Sequence, residues 1–261
     1  MPEPLFEFFE VIATELAGTS SKVITHEDFR IGEEVSPFFE AMMRYLKVVN
    51  VEATILAAVK KLTEHFEAKG AELPFQYQPE TGKFTATCAE FLSFVSEMKD
   101  MRSIGKRSRD FECNVARRLG ERATGSIHRV GHPRDRKKSR VQLNRHLKKL
   151  GFSRPVVYGK EKDGGLDILW FLPVGAIPHK PIVSVQCKNG EFDTDEADKS
   201  IGAGSRSLGQ NERLQVGIHV PCVLFNDYIH QDMLAKKQFN FVPLGLTDLA
   251  PLKERISVHL I

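Results

Sequence analysis

The chain has 261 residues, 41% hydrophobic and 27% charged, with a formal net charge of +3 and four cysteines. That length supplies an ample core for one large domain or two modest ones. Cys88, Cys113, Cys187 and Cys222 are far apart and form no C-x-x-C pair, which excludes a disulfide scaffold and a zinc knuckle and predicts reduced thiols in the cytoplasm. The opening stretch MPEPLFEFFEVIATELAG carries four glutamates and no basic start, so it does not read as a signal peptide. No apolar run is long enough to span a bilayer, and a soluble protein without a membrane partner is expected.

Residues 1–104 read as a mostly helical, mildly acidic accessory domain, suited to dimerisation or target recognition. Val51, Ile55, Val59, Leu62 and Phe66 recur at spacings of one helical face, which predicts a helix with a buried stripe. Gly70 and Pro74 are stop signals, YQPETGKF reads as a turn, and CAEFLSFVSEMKD resumes a helix. His26 and His65 are isolated and carry no metal signature.

Charge then segregates. Residues 102–154 hold 17 Lys or Arg against 4 Asp or Glu, a local balance of +13 that leaves −10 for the rest. A solvated helical surface is the ordinary reading of such a run; separation of sign within one chain favours a polyanion partner. SRDFECNVARRLGER spaces Phe111, Val115, Ala116 and Leu119 as a helix. SIHRVGHPRDRKKSR has too many Gly, Pro and charged residues for a buried element and is expected to be an exposed loop. It offers Arg134, Arg136, Lys137, Lys138 and Arg140 to a phosphate backbone. His128 and His132 are four apart, but Gly131 and Pro133 break the helix that would align them as ligands. KSRVQLNRHLKKLGF predicts a second helix that ends at Gly151.

From Pro155 the rhythm changes to short runs rich in branched and aromatic residues: PVVYG, LDILWFLP, PIVSVQCK, VPCVLF and FNFVPLG. Helix-like DEADKSIGAGSRSLGQNERL and NDYIHQDMLAKKQ separate the last three. TDLAPLKERISVHLI is expected to be a terminal helix capped by Thr247 or Asp248. The alternation predicts an α/β domain over 105–261, a mixed sheet flanked by helices.

Within PIVSVQCKNGEFD, alternation sends Val183, Val185 and Cys187 to one face and Ser184, Gln186 and Lys188 to the other. Taken alone this describes a sheet with one wet face. Joined to EKDGGLDILWFLP it says more, because a hairpin of the two strands brings Asp167 to Gln186 and Lys188 at one end of the sheet. A carboxylate, a second oxygen and a lysine so placed can hold a divalent cation and a water beside a phosphodiester. Each residue also has a plainer role: Asp167 as a turn cap, Gln186 as a partner for a buried polar group, Lys188 as an edge lysine.

DGGLD at 163–167, VQCKN at 185–189 and DFECNVARRLG at 110–120 together resemble the PD-(D/E)xK nuclease superfamily, and within it the Mrr-like restriction endonucleases, in which glutamine replaces the second acidic residue. The resemblance covers residues 109–208. It implies a restriction-endonuclease-like core and a Mg²⁺-dependent DNA endonuclease active in restriction or defence against foreign DNA, with Mn²⁺ as a substitute ion. Asp167, Gln186 and the Cys187 backbone carbonyl would be the metal ligands, Lys188 would position or deprotonate the attacking water, and Glu112 would assist from the preceding helix. Double-strand cleavage implies a homodimer. Lys199 and Arg206, on the segment after the site, are further candidates for backbone contact. The glycines of GAGS at 202–205 lack the strand-to-helix turn of a dinucleotide fingerprint, and no nucleotide cofactor is expected. Two rivals share these residues: a catalytically silent nuclease-fold protein that grips nucleic acid, and a branched-DNA resolvase or RNA nuclease.

Overall fold

The computed structural model describes residues 3–25, 37–103, 108–122, 125–130, 145, 148, 166–172, 181–189, 219–226 and 240–251. The chain divides into two compact units, Met1–Asp100 with Thr247–Ile261, and Met101–Leu246.

In the first unit, α1 (Glu3–Gly18), α2 (Pro37–Leu46), α3 (Val51–Glu67) and α4 (Ala89–Ser103) accompany three short strands, β1 (Val23–Thr25), β2 (Phe75–Gln78) and β3 (Lys83–Ala86). The helix expected over 51–66 is present as α3, with Thr54, Ile55, Ala58, Leu62 and Phe66 buried. Asn50 starts it by accepting a bond from the Ala53 N–H at 2.7 Å, which satisfies one of the donors a helix N-terminus leaves unpaired. Gly70 ends it at a φ of 65°, and the Ala71 N–H reaches back to the Phe66 carbonyl at 3.0 Å. That left-handed closure is one only glycine adopts without cost.

The region is not purely helical. β1 and β2 both pair antiparallel with β3, and the stretch expected to be a mere turn, YQPETGKF, is a β-hairpin in which Tyr77 faces Phe84. Phe75 and Tyr77 alternating with Gln76 and Gln78 carry the two-residue period that makes it a strand. Phe84 then joins Phe8 and Phe75 in an aromatic core, with ring centroids 6.2 and 5.9 Å away.

The 3-10 turn Leu246–Leu249 begins the segment expected to be a terminal helix. Thr247 and Asp248, expected as its caps, face α3 instead: Thr247 Oγ1 lies 3.3 Å from His65 Nε2, and Asp248 pairs with Lys69. Residues 252–261 lie outside the described residues.

The second unit is mixed α/β. Helix α5 (Ser108–Arg122) precedes β4 (Ser126–Arg129), β5 (Ile168–Phe171), β6 (Ile182–Lys188), β7 (His219–Phe225) and β8 (Val242–Leu244). These five strands form one sheet in chain order. β4–β5 and β5–β6 pair antiparallel, while β6–β7 and β7–β8 are parallel. α5 packs Phe111, Val115 and Leu119 inward and lies against β4 and β6.

One expectation fails here. SIHR, placed in an exposed loop, is the edge strand β4, because Ile127 pairs with Trp170 and Arg129 with Ile168. The helices expected over DEADKSIGAGSRSLGQNERL and NDYIHQDMLAKKQ lie outside the described residues, as does the strand PVVYG.

Candidate active site

The site is built on β6, the middle strand of the sheet. Its neighbours β5 and β7 pair on both edges, and Ile182 to Val185 are buried on both faces. Ser184 is therefore not on a wet face: its Oγ lies 2.8 Å from His219 Nε2, and burial holds the His219 imidazole below its ordinary pKa. Polar side chains reach partial exposure only at the strand's end, at Gln186 and Lys188. The sheet opens there, since the last β5–β6 pair is Ile168 with Val185.

Asp167 stands immediately before β5 and is 3% exposed. Its Oδ2 accepts two bonds, from Gln186 Nε2 at 2.5 Å and from the Cys187 N–H at 2.7 Å. Its backbone carbonyl accepts the Val130 N–H at 2.7 Å. So the expected meeting of Asp167 with Gln186 is present, and β4 as well as β6 positions the carboxylate. Gln186 Oε1 is buried with no hydrogen-bond partner among the described residues.

The Cys187 group that meets Asp167 is its N–H rather than its carbonyl. In an extended strand the N–H and C=O of one residue point to the same edge, so the Cys187 carbonyl also lies on the Asp167 side. Burial pushes the Cys187 thiol well above its ordinary pKa, the Asp167 and Glu112 carboxylates add to that, and Arg129 opposes it. The thiol is neutral core, and it is the backbone of Cys187 that meets Asp167.

Glu112, on α5, is 3% exposed and its Oε2 lies 2.7 Å from Arg129 Nη2. Arg129, Ile168 and Val185 stand in one rank across β4, β5 and β6. Residues opposite one another share a face of the sheet, so Arg129 is on the face of Val185 and Cys187, opposite Gln186 and Lys188. Glu112 thus approaches Asp167 from the Cys187 side of β6, while Lys188 stands on the other side.

The end of β6 is tied to β7 by Asn226, which is fully buried. Its backbone N–H donates to the Lys188 carbonyl at 2.8 Å, and its Nδ2 donates to Asn189 Oδ1 at 2.7 Å. Neither Arg129 nor Asn226 emerges from reading the sequence. Arg129 has a trace there, in Ile127 and Val130 flanking it before Gly131, but the Gly, Pro and basic residues that follow outweigh it.

Arg134, Arg136, Lys137, Lys138, Arg140, Lys199 and Arg206 lie outside the described residues. Of the basic stretch, Arg145 and Lys148 are helical and exposed. Among the described residues, no three His, Cys, Asp or Glu side chains are grouped to hold a metal ion, and no helix is long and apolar enough to cross a membrane. Neither a protein-family model, nor a curated protein, nor a solved structure matches the chain.

Proposed function

We propose that this chain is a Mg²⁺-dependent DNA endonuclease of the PD-(D/E)xK type, with Asp167, Gln186 and Lys188 as its working residues. The observation that carries the reading is the contact of Asp167 with Gln186 and the Cys187 backbone at the open end of β6, with Lys188 next on the same face as Gln186. A mixed sheet with a glutamate-bearing helix before it supports the restriction-endonuclease-like core.

The donors present suit a hard cation. Asp167 supplies a carboxylate, Gln186 an oxygen without a hydrogen-bond partner among the described residues, and Cys187 a carbonyl on the same strand edge. With one carboxylate and two neutral oxygens, affinity before substrate would be weak, and phosphate oxygens would be needed to complete the ligand set. A bound divalent ion supplies charge neutralisation at the phosphate and acidifies a water. The chain's own part is to hold Asp167 fixed through two donors, and to place the Lys188 ammonium where it orients the water or offsets charge on the phosphoryl oxygens.

Incubation of supercoiled plasmid with Mg²⁺ tests this: nicking or linearisation is expected in the wild type and is lost in Lys188→Ala, while DNA binding persists. Equal inertness of wild type and variant on DNA and RNA would sink the enzyme reading. One observation favours the rival, a silent nucleic-acid-binding protein. The Gln186 amide turns its donor, not its oxygen, to Asp167, as a site kept for structure would do.

A further inference from the structure

Two carboxylates, Asp167 and Glu112, are each 3% exposed and flank the same short piece of β6. Burying one unpaired charge costs several kcal/mol, and burying two of like sign costs more. Among the described residues, Arg129 is a cation placed to offset them. It contacts Glu112 at 2.7 Å with its side chain 21% exposed. Its β4 rank places it opposite Ile168, the residue after Asp167, and its neighbour Val130 bonds the Asp167 carbonyl at 2.7 Å. The Arg129–Glu112 contact is also unspent. Arg129 Nε and Nη2 are buried and have no hydrogen bond of good geometry among the described residues. Charge, more than directed bonding, holds this pair, and a second cation can compete with it.

We propose that Arg129 is a built-in counter-ion of the Asp167 and Glu112 carboxylates and sets how tightly the site takes a divalent cation. This rests on the metal-dependent reading above and deepens it. A positive charge about 6 Å from a divalent ion weakens its binding by Coulomb repulsion, by about tenfold even when screened as fully as in bulk water. The loose resident charge keeps the site folded alone and makes tight metal uptake wait for the phosphate.

Calorimetric titration of the full chain with Mn²⁺ tests it. Arg129→Met is expected to bind Mn²⁺ about tenfold more tightly than wild type, and Arg129→Lys within about twofold of it. Because Arg129→Met strands Glu112 and can fail to fold, a second comparison is made with Glu112 neutralised. Glu112→Gln should bind more weakly than wild type, and the double variant Glu112→Gln with Arg129→Met should bind about tenfold more tightly than Glu112→Gln alone. If wild type binds Mn²⁺ but removing Arg129 changes affinity in neither background, the counter-ion inference falls and the metal reading stands. If no form binds Mn²⁺, the metal reading falls and takes the inference with it.

Discussion

The Gln186 amide donates from Nε2 to Asp167 Oδ2 at 2.5 Å, and the same oxygen takes the Cys187 N–H at 2.7 Å. The neutral member of the site therefore grips the charged one, and Asp167 is as much a structural acceptor as a chemical group. Replacing it with alanine strands two donors in a place that is 3% exposed, each worth about 1–3 kcal/mol when left unmade. Asp167→Ala is expected to lower stability by about 2–6 kcal/mol, and Asp167→Asn, which keeps one acceptor oxygen, by about half that. Urea midpoints measure both, and an alanine variant as stable as wild type would mean that the two bonds do not form. Loss of cleavage in Asp167→Ala is informative only beside that measurement, which makes Asn the better probe of chemistry.

What could be read in advance follows from where information sits along the chain. β6 is legible because apolar residues alternate with polar ones from Val183 to Lys188, and β5 because ILWF is an unbroken apolar run behind two glycines; Asp167 falls at the start of one strand where Gln186 falls near the end of the other. Their meeting needs only antiparallel pairing, which is what forms. β4 is not legible, because SIHR has four half-buried residues and its place in the sheet comes from the Ile168 to Phe171 edge it pairs with, about forty residues further along the chain. The face from which Glu112 approaches is likewise hidden. It depends on register, and a slip of one residue would send Arg129 to the other face. In the first unit, three strands of three or four residues are too short to compete with the helical pattern around them.

The first unit carries its own acid sensitivity. His65, in the last turn of α3, faces the 3-10 turn, its Nε2 3.3 Å from Thr247 Oγ1. Burial, with Lys69 adding, pushes its pKa down from 6.5 to about 4. The unfolded chain binds the proton at a higher pH than the folded one. Stability tied to His65 is therefore fully present above pH 6.5 and is lost as pH falls towards 4. The side chain is only partly buried, and solvent screening reduces the effect to about 1–2 kcal/mol. In His65→Gln the fall in unfolding free energy between those pH values, read from urea titrations, should be smaller by that amount; an identical pH profile would remove His65 as its source.

The basic stretch at 134–138, which lies outside the described residues, predicts a salt effect separable from catalysis. If Arg134, Arg136, Lys137 and Lys138 each neutralise a phosphate, replacing all four with glutamine removes four released counterions. The slope of log affinity against log salt on duplex DNA should then become shallower by about 3 to 4. Binding at low salt should weaken for every DNA sequence alike, since phosphate contacts carry no base information. A slope that stays put places these four residues outside the interface, whatever happens to cleavage.

Gln186→Glu puts the neutral position to the sharpest test. The substitution exchanges the donor 2.5 Å from Asp167 Oδ2 for an acceptor, so two carboxylates face each other at a strand end. They must then share a proton or repel. In EDTA the variant should be about 1–3 kcal/mol less stable than wild type, from the lost bond and the added charge. Mn²⁺ should reverse the order, because two carboxylates draw a hard cation about tenfold or more tightly than a carboxylate and an amide. A thermal-shift titration of both proteins with Mn²⁺ reads both effects at once. If the ion stabilises the variant no more than wild type, positions 167 and 186 do not share a cation, and the hydrogen bond between them is the whole of their relationship. If the ion rescues it, the glutamine is a device for keeping the site assembled while leaving it hungry for the phosphate that completes it.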